Sequence, residues 1–76
     1  MQFQMSVFYH NYYISYLITT DDKISFHFQV KSIPTPDVYA PNNFIVIHKD
    51  DKWIFNTSLD EEFKKSVVKT LKKTRL

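Results

Sequence analysis

The side chains best suited to acid–base or metal chemistry in this 76-residue chain are its three histidines and two pairs of adjacent aspartates. The histidines are far apart and match no common zinc spacing: His10, His27 and His48. Asp21–Asp22 and Asp50–Asp51 resemble acid–base pairs, but adjacent residues point in different directions and aspartate is a favoured turn former. We therefore interpret both pairs as turns and His48 as a half-buried strand residue, and we predict neither a catalytic nor a metal site.

The composition excludes several further classes of function. Cysteine is absent, so disulfides, thiolate metal sites and cysteine nucleophiles are ruled out. Glycine is also absent, where roughly five would be average, and this excludes glycine-rich phosphate loops, the dinucleotide-binding fingerprint, the nucleophile elbow and the standard EF-hand loop. We expect a protein that is not an enzyme and holds no cofactor, and whose positive-φ turns use Asn or Asp.

Basic side chains near the C-terminus are the first candidate for binding. Lysines clustered on a helix could contact nucleic-acid phosphates. The candidate contacts are Lys65, Lys69, Lys72 and Lys73. The alternative is a solvated helix face whose charges pair four residues apart, as in Asp60–Lys64 and Glu61–Lys65. A formal net charge of +2 does not by itself indicate a nucleic-acid partner, and we favour the solvated face.

Aromatic side chains on predicted strands are the second candidate. Phe8 and Tyr13 are expected to face one another on the less apolar face of the first hairpin, where they could pack, join a protein interface or stack unpaired bases. Their neighbours on that face are serine and glutamine, which favours packing or a protein interface over nucleic acid. The candidate interaction surface is Phe8, Tyr13, Leu17, His48 and Trp53.

A β-hairpin is predicted at the start of the chain, where residues 3–9 and 12–19 alternate between apolar and polar types. His10-Asn11 supplies a two-residue turn, so Tyr9 pairs with Tyr12. With this register eight apolar residues share one face of the hairpin: Phe3, Met5, Val7, Tyr9, Tyr12, Ile14, Tyr16 and Ile18.

A third strand is predicted from the alternation in residues 24–30. Its apolar residues reach the apolar face of the second strand only if the connecting loop has an odd length. We therefore predict a three-residue loop, Thr20-Asp21-Asp22, with Asp22 left-handed and a bulge. This register places Ile24 opposite Ile18.

A second hairpin follows the longest irregular segment of the chain, 31–42, whose Pro34-Thr35-Pro36 can be neither helix interior nor central strand. We expect that segment to cross an end or a face of the sheet. Residues 44–48 and 52–55 then pair around a two-residue turn, with Lys49 opposite Lys52. Both faces of this hairpin carry apolar residues, a pattern typical of strands that are either central in a sheet or covered on both sides.

A C-terminal amphipathic helix is predicted from an apolar stripe that repeats every four residues. The stripe is Leu59, Phe63, Val67 and Leu71. Ser58 and Glu61 fit a capping box, with Ser58 as the N-cap. Acidic residues occupy the first turn, and Lys72, Lys73 and Arg75 occupy the last turn, which suits the helix dipole.

Together these elements predict one α+β domain over residues 1–76, an antiparallel meander of about five strands with one C-terminal helix on one face. A single helix covers only one face, so the apolar residues of the other face need a partner or the proline-rich loop. We expect a homodimer or a module that binds another protein, with nucleic-acid binding as the alternative.

The expected location is the cytoplasm, without a membrane span. The longest apolar run is 44–47, far short of the roughly 20 residues that cross a bilayer. Small secreted domains usually depend on disulfides, and this chain has no cysteine to form them.

Overall fold

The computed structural model describes residues 1–35 and 39–73, which form five strands and one helix. The strands are β1 Gln2–Tyr9, β2 Tyr12–Thr19, β3 Ser25–Ser32, β4 Phe44–Lys49 and β5 Lys52–Phe55, and the helix is α1 Glu61–Lys73. The strands make one antiparallel, curled sheet in the order β1-β2-β3-β4-β5, and the helix packs against it. The predicted α+β meander is confirmed.

The first hairpin has the predicted register. His10 and Asn11 have φ values of 49° and 66°, which is the geometry of a two-residue type I′ turn. Tyr9 therefore pairs with Tyr12, and the alternation continues along both strands. The expectation that Asn or Asp would supply the positive-φ positions is wrong at His10, which occupies the first turn position, and at Lys23 in the next loop.

The second hairpin also has the predicted register. The expectation that its strands are central or covered on both sides is wrong for β5, which is an edge strand whose Ile54 side chain is 49% exposed. Asp50 and Asp51 have φ values of 53° and 61°, so this is a second type I′ turn. Lys49 lies opposite Lys52. The aspartate pair serves as a turn, in agreement with the prediction.

The connection between β2 and β3 differs from the prediction. It comprises residues 20–24 rather than three residues, and Ile18 lies opposite Phe28 instead of Ile24. The loop length is odd, as the apolar faces require, but the register is displaced by four residues. The bulge lies at the opposite end of the strand pair, beside Ser15.

Side chains of the loop explain its extra length. The Asp22 carboxylate accepts the backbone N–H of Ser25 and of Ile24, each at 2.9 Å. The Thr20 hydroxyl accepts the N–H of Lys23 at 3.0 Å. Lys23, rather than Asp22, takes the left-handed conformation, with φ of 60°. The bonds from Ser25 and Ile24 hold the pKa of the Asp22 carboxyl below its usual value.

The core lies between one face of the sheet and the helix. Its buried apolar residues are Val7, Tyr9, Ile14, Tyr16, Ile18, Phe26, Phe28, Phe44, Val46, Phe63, Val67 and Leu71. Phe28 and Phe44 stack with ring centroids 4.8 Å apart, and Phe63 meets Phe44 edge-on at 5.6 Å. Such aromatic pairs add to the stabilisation that burial provides.

The irregular segment begins later than predicted, because Lys31 and Ser32 belong to β3. Part of the proline-containing segment lies against the core. Pro41 is buried, and its carbonyl accepts a 2.8 Å hydrogen bond from the Tyr16 hydroxyl, which satisfies a buried polar group. Burial raises the pKa of Tyr16 above its ordinary value. The Asn42 side chain accepts the N–H of Val30 at 2.8 Å. Residues 36–38 of the predicted segment lie outside the described residues.

The helix begins two residues later than predicted. Asp60 is the N-cap: its carboxylate accepts the Glu62 N–H at 3.0 Å, and its carbonyl accepts the Lys64 N–H at 3.0 Å. The prediction of Ser58 as N-cap is therefore wrong, and Glu61 is the first helical residue.

The helix charges are ordered as predicted where they are described. Acidic residues lie in the first turn, and Lys72 and Lys73 lie in the last; Arg75 is outside the described residues. Among the described residues, an ion pair joins Lys64 to Glu61 at 3.4 Å, three residues apart, and the predicted pairs four residues apart do not form.

Candidate binding groove

The helix packs most closely on β1, one of the two edge strands of the sheet. The Tyr9 hydroxyl donates a 2.7 Å hydrogen bond to the Asp60 carboxylate, and the Tyr9 ring meets Phe63 edge-on at 5.1 Å. Two small residues, Ser66 and Thr70, line a small cavity beside β1. Small side chains let the helix approach this strand.

The Tyr9–Asp60 contact also sets two pKa values. The hydrogen bond to Asp60 is the main cause that raises the pKa of Tyr9 from 10.0 to about 12. The same bond, with the N–H of Glu62, holds the pKa of the Asp60 carboxyl below its usual value. The contact therefore links the end of β1 to the N-terminus of α1 by a charge-assisted hydrogen bond.

On its other side, α1 is separated from β5 by a groove of about 880 Å³. The lining from β5 is Trp53, Ile54 and Phe55. The lining from α1 is Glu61, Lys64, Lys65, Val68, Lys69, Lys72 and Lys73. We call this cavity the β5–α1 groove. Because β5 is the last strand of the sheet, one wall of the groove is a sheet edge.

The apolar part of the groove is formed by side chains from both walls. Phe55 and Val68 are half-buried. Ile54 also contributes to the lining, but its register position is on the outer face of β5 and its side chain is 49% exposed. The Lys64 ammonium lies 5.7 Å from the centre of the Phe55 ring, in a cation–π contact, and also pairs with Glu61. Lys64 is therefore engaged by two neighbours at one end of the groove.

The other groove lysines are the four predicted nucleic-acid contacts. Lys65, Lys69, Lys72 and Lys73 are exposed and follow one side of the helix at three- and four-residue spacings. Among the described residues, none of the four takes part in a salt bridge. These lysines are solvated, as expected for the polar face of an amphipathic helix, and they also border a groove with apolar residues in its lining.

The free edge of β5 presents backbone groups to the groove. Flanking a two-residue turn, Lys49 and Lys52 form a hydrogen-bonded pair, and such pairs alternate along the ladder. The next hydrogen-bonded pairs along the ladder are residues 47 with 54 and 45 with 56. The 3.0 Å hydrogen bond from the Asn56 N–H to the Ile45 carbonyl agrees with this alternation. The N–H and C=O groups of Trp53 and Phe55 therefore point away from β4. Within residues 1–35 and 39–73, no strand pairs with them.

The predicted interaction residues do not form one surface. Phe8 and Tyr13 lie opposite each other on the outer face of the sheet, with ring centroids 4.9 Å apart, and the half-buried Leu17 shares that face. His48 and Trp53 lie on the core face, where their rings stack 3.9 Å apart. Trp53 belongs to the groove, whereas Phe8, Tyr13 and Leu17 occupy outer-face positions. At the edge of the sheet, Phe8 and Tyr13 also line the small cavity beside β1 together with Lys69 and Lys73 of the helix.

The histidines lie on separate elements: His10 in the first turn, His27 on the outer face of β3 and His48 beside Trp53. In the described part of the chain, no three side chains of His, Asp or Glu are grouped so that they could hold a metal ion.

Ile54, Phe55 and Val68 are groove residues that the sequence interpretation did not select for binding. In the sequence each of them fits a strand or helix pattern. No local feature of the sequence indicates that the helix leaves a groove beside β5. Among the described residues, no helix is long and apolar enough to cross a membrane.

A scan against protein-family models, a search of curated proteins and a search of solved structures each found no match for this chain.

Proposed function

We propose that this protein is a non-enzymatic interaction module that binds an extended segment of another protein in the β5–α1 groove. The observation that carries the proposal is the free edge of β5 facing a helix across an amphipathic groove. Peptides bind such edges by adding a strand, with the backbone supplying affinity and neighbouring side chains supplying specificity. The absence of cysteine from the chain supports a reducing cytoplasmic location for the module.

Selection of peptides from a random displayed library tests this proposal. The library is panned on the wild-type protein, and the selected peptides are then measured on Val68→Trp, which fills the groove. Ile33→Trp is the matched control, because Ile33 is exposed and outside the groove. We expect binding to be lost in Val68→Trp and kept in Ile33→Trp. Equal binding to both variants would contradict the proposal, provided that circular dichroism shows both to be folded.

Single-stranded nucleic acid is the second candidate ligand. Its support is the proximity of Trp53 to the four exposed groove lysines, since such strands bind basic grooves by stacking bases on aromatic rings. One face of the Trp53 ring is already covered by His48, and the Phe55 ring contacts Lys64. Few ring faces therefore remain for bases, which favours a peptide. Binding of an oligothymidylate that weakens steeply with salt would favour this candidate.

Self-association through the outer sheet face is a second form of the interaction proposal. Phe8 is 45% exposed and Tyr13 66% exposed on that face. The outer positions of β1 and β2 carry no charged residue, a property of interface cores. They are Gln2, Gln4, Ser6, Phe8, Tyr13, Ser15, Leu17 and Thr19. Light scattering tests this: we expect a dimer that Phe8→Ser with Tyr13→Ser converts to a monomer, whereas a wild-type monomer at all concentrations would contradict it.

A further inference from the structure

We infer that the occupant of the β5–α1 groove is an acidic, extended segment of a partner protein that pairs with β5 as a sixth strand of the sheet. This inference rests on the proposed function and adds the chemistry and the geometry of the ligand. Three observations carry it: the direction of the β5 backbone groups, the alternation of side chains on that strand, and the charge of the groove.

The backbone of β5 offers a short ladder to an incoming strand. The outward groups are the N–H and C=O of Trp53 and of Phe55, which alternate with the inward groups that pair with β4. Since β5 has four residues, it spans about 13 Å, and a segment of about six residues covers it with one residue beyond each end. The ligand must be extended, because a helix has no free backbone groups to complete this ladder.

Side chains of an added strand would alternate between two environments. Those beside Trp53 and Phe55 point into the groove, where they meet Val68 and the helix lysines. Those beside Ile54 point to the outer face, where a half-exposed apolar side chain is available to them. The groove therefore fits a segment in which acidic and apolar residues alternate.

The charges of the groove select an acidic segment over a neutral or basic one. Five lysines and one glutamate line the groove, and that glutamate, Glu61, already pairs with Lys64. The other four lysines have no salt-bridge partner in the described residues. Carboxylates on the ligand would complement them without displacing an existing pair, and the attraction would weaken as salt rises.

The test uses the ¹⁵N-labelled protein and a capped peptide of about six residues of alternating Glu and Val, a length that matches β5. A one-residue slip exchanges the two faces of such a peptide, so both registers are available to it. We expect shifts of the Trp53 indole and of groove amides. At saturation we expect hydrogen exchange of the Trp53 and Phe55 amides to slow about tenfold or more, while the Lys52 and Ile54 amides, already paired with β4, change little.

Two controls separate charge from backbone pairing. Lys65→Glu with Lys69→Glu should lower the affinity at least about tenfold. Lys23→Glu with Lys31→Glu changes the net charge equally away from the groove and should keep the affinity within about twofold. A peptide methylated on every backbone nitrogen should lose binding, because neither of its edges can then donate to the ladder in either register.

Groove binding without protection of the Trp53 and Phe55 amides would overturn strand addition and leave the proposed function standing. Equal affinity for an alternating Lys and Val peptide would overturn the acidic specificity alone. Displacement of the peptide by an oligothymidylate that binds more tightly would overturn the inference in favour of nucleic acid. If neither designed nor library-selected peptides bind the groove, the inference and the proposed function fail together.

Discussion

The two sides of α1 meet the two edge strands of the sheet in different ways. On the β1 side, Tyr9 is joined to Asp60 at 2.7 Å and the helix approaches the strand closely. On the β5 side, a groove of about 880 Å³ separates helix and strand, and the helix residues that line it are mostly lysines. The helix is thus bonded to one edge strand, whereas the other edge strand borders an open groove.

The difference follows from the types of residue on each side of the helix. Ser66 and Thr70 are small and lie near β1, whereas Lys65 and Lys72 are long, charged and exposed on the side of β5. Lys69 and Lys73 lie between the two sides and line both the small cavity and the groove. A single helix cannot lie beside both edges of a five-stranded sheet, and this helix lies towards β1. Unpaired sheet edges are sites where other chains pair, so the uncovered edge is where a partner is expected.

The largest predicted effect on stability is the difference between substitutions at two adjacent valines. Val67 is fully buried, whereas the half-buried Val68 faces the groove. We expect Val67→Ala to lower the free energy of unfolding by about 2 kcal/mol, through lost burial and a cavity. Val68→Ala should cost less than about 1 kcal/mol. Urea denaturation of both variants measures the difference, and equal losses would mean that the groove side is packed like the core.

A smaller effect is expected from the bond that fixes the helix to β1. Tyr9→Phe removes the hydroxyl that donates a hydrogen bond to Asp60. We expect the free energy of unfolding to fall by about 1 kcal/mol. Tyr13→Phe is the matched control, because Tyr13 is 66% exposed on the outer face, and it should have almost no effect. If the two variants were equally stable, the Tyr9–Asp60 bond would not contribute to holding the helix against β1.

Both hairpins could be predicted from the sequence, because their turns and alternation are local. The β2–β3 register could not, since the Asp22 side chain closes a longer loop by accepting two backbone N–H groups. The N-cap was also ambiguous, because Ser58 and Asp60 are both good capping residues. The tertiary bond to Tyr9 favours Asp60.

The groove was beyond sequence reasoning for a different reason. The lysines and Trp53 were each selected as candidates, but for separate functions. They come together only because the helix lies towards β1, and that sideways position follows from three-dimensional packing around Phe63. Periodicity shows which side of a helix is buried, and it does not show where the helix lies across a sheet.

The hydrogen bond between the Tyr9 hydroxyl and the Asp60 carboxylate predicts a dependence of stability on pH. The pKa of Asp60 is lowered in the folded protein, so its contribution is present above its unfolded pKa and is lost as pH falls through the folded value. The pKa of Tyr9 is raised from 10.0 to about 12, so its contribution is complete below pH 10.0 and is lost as pH rises through about 12. Thermal unfolding of wild type and Asp60→Asn across this range measures both.

In Asp60→Asn, the loss of stability in acid should become shallower than in wild type. Asp22, whose pKa is also lowered, continues to contribute to the remaining slope. A variant with an unchanged acid profile would show that Asp60 does not hold the helix in place through its charge.

The smallest effect is expected on the groove side. Lys69→Gln removes an exposed charge that has no salt bridge in the described residues, and the free energy of unfolding should change by less than about 0.5 kcal/mol. The same variant should weaken binding of the acidic peptide. A large loss of stability would assign the groove lysines a structural role instead of a binding role.

Amide hydrogen exchange in the ligand-free protein tests most directly the claim that the β5 edge is open. The account predicts that the outward amides of Trp53 and Phe55 exchange quickly, while those of Lys52 and Ile54, paired with β4, exchange slowly. This alternation would show an uncovered strand edge beside the groove. Slow exchange at all four amides would mean that this edge is covered in the free protein, which would contradict the account.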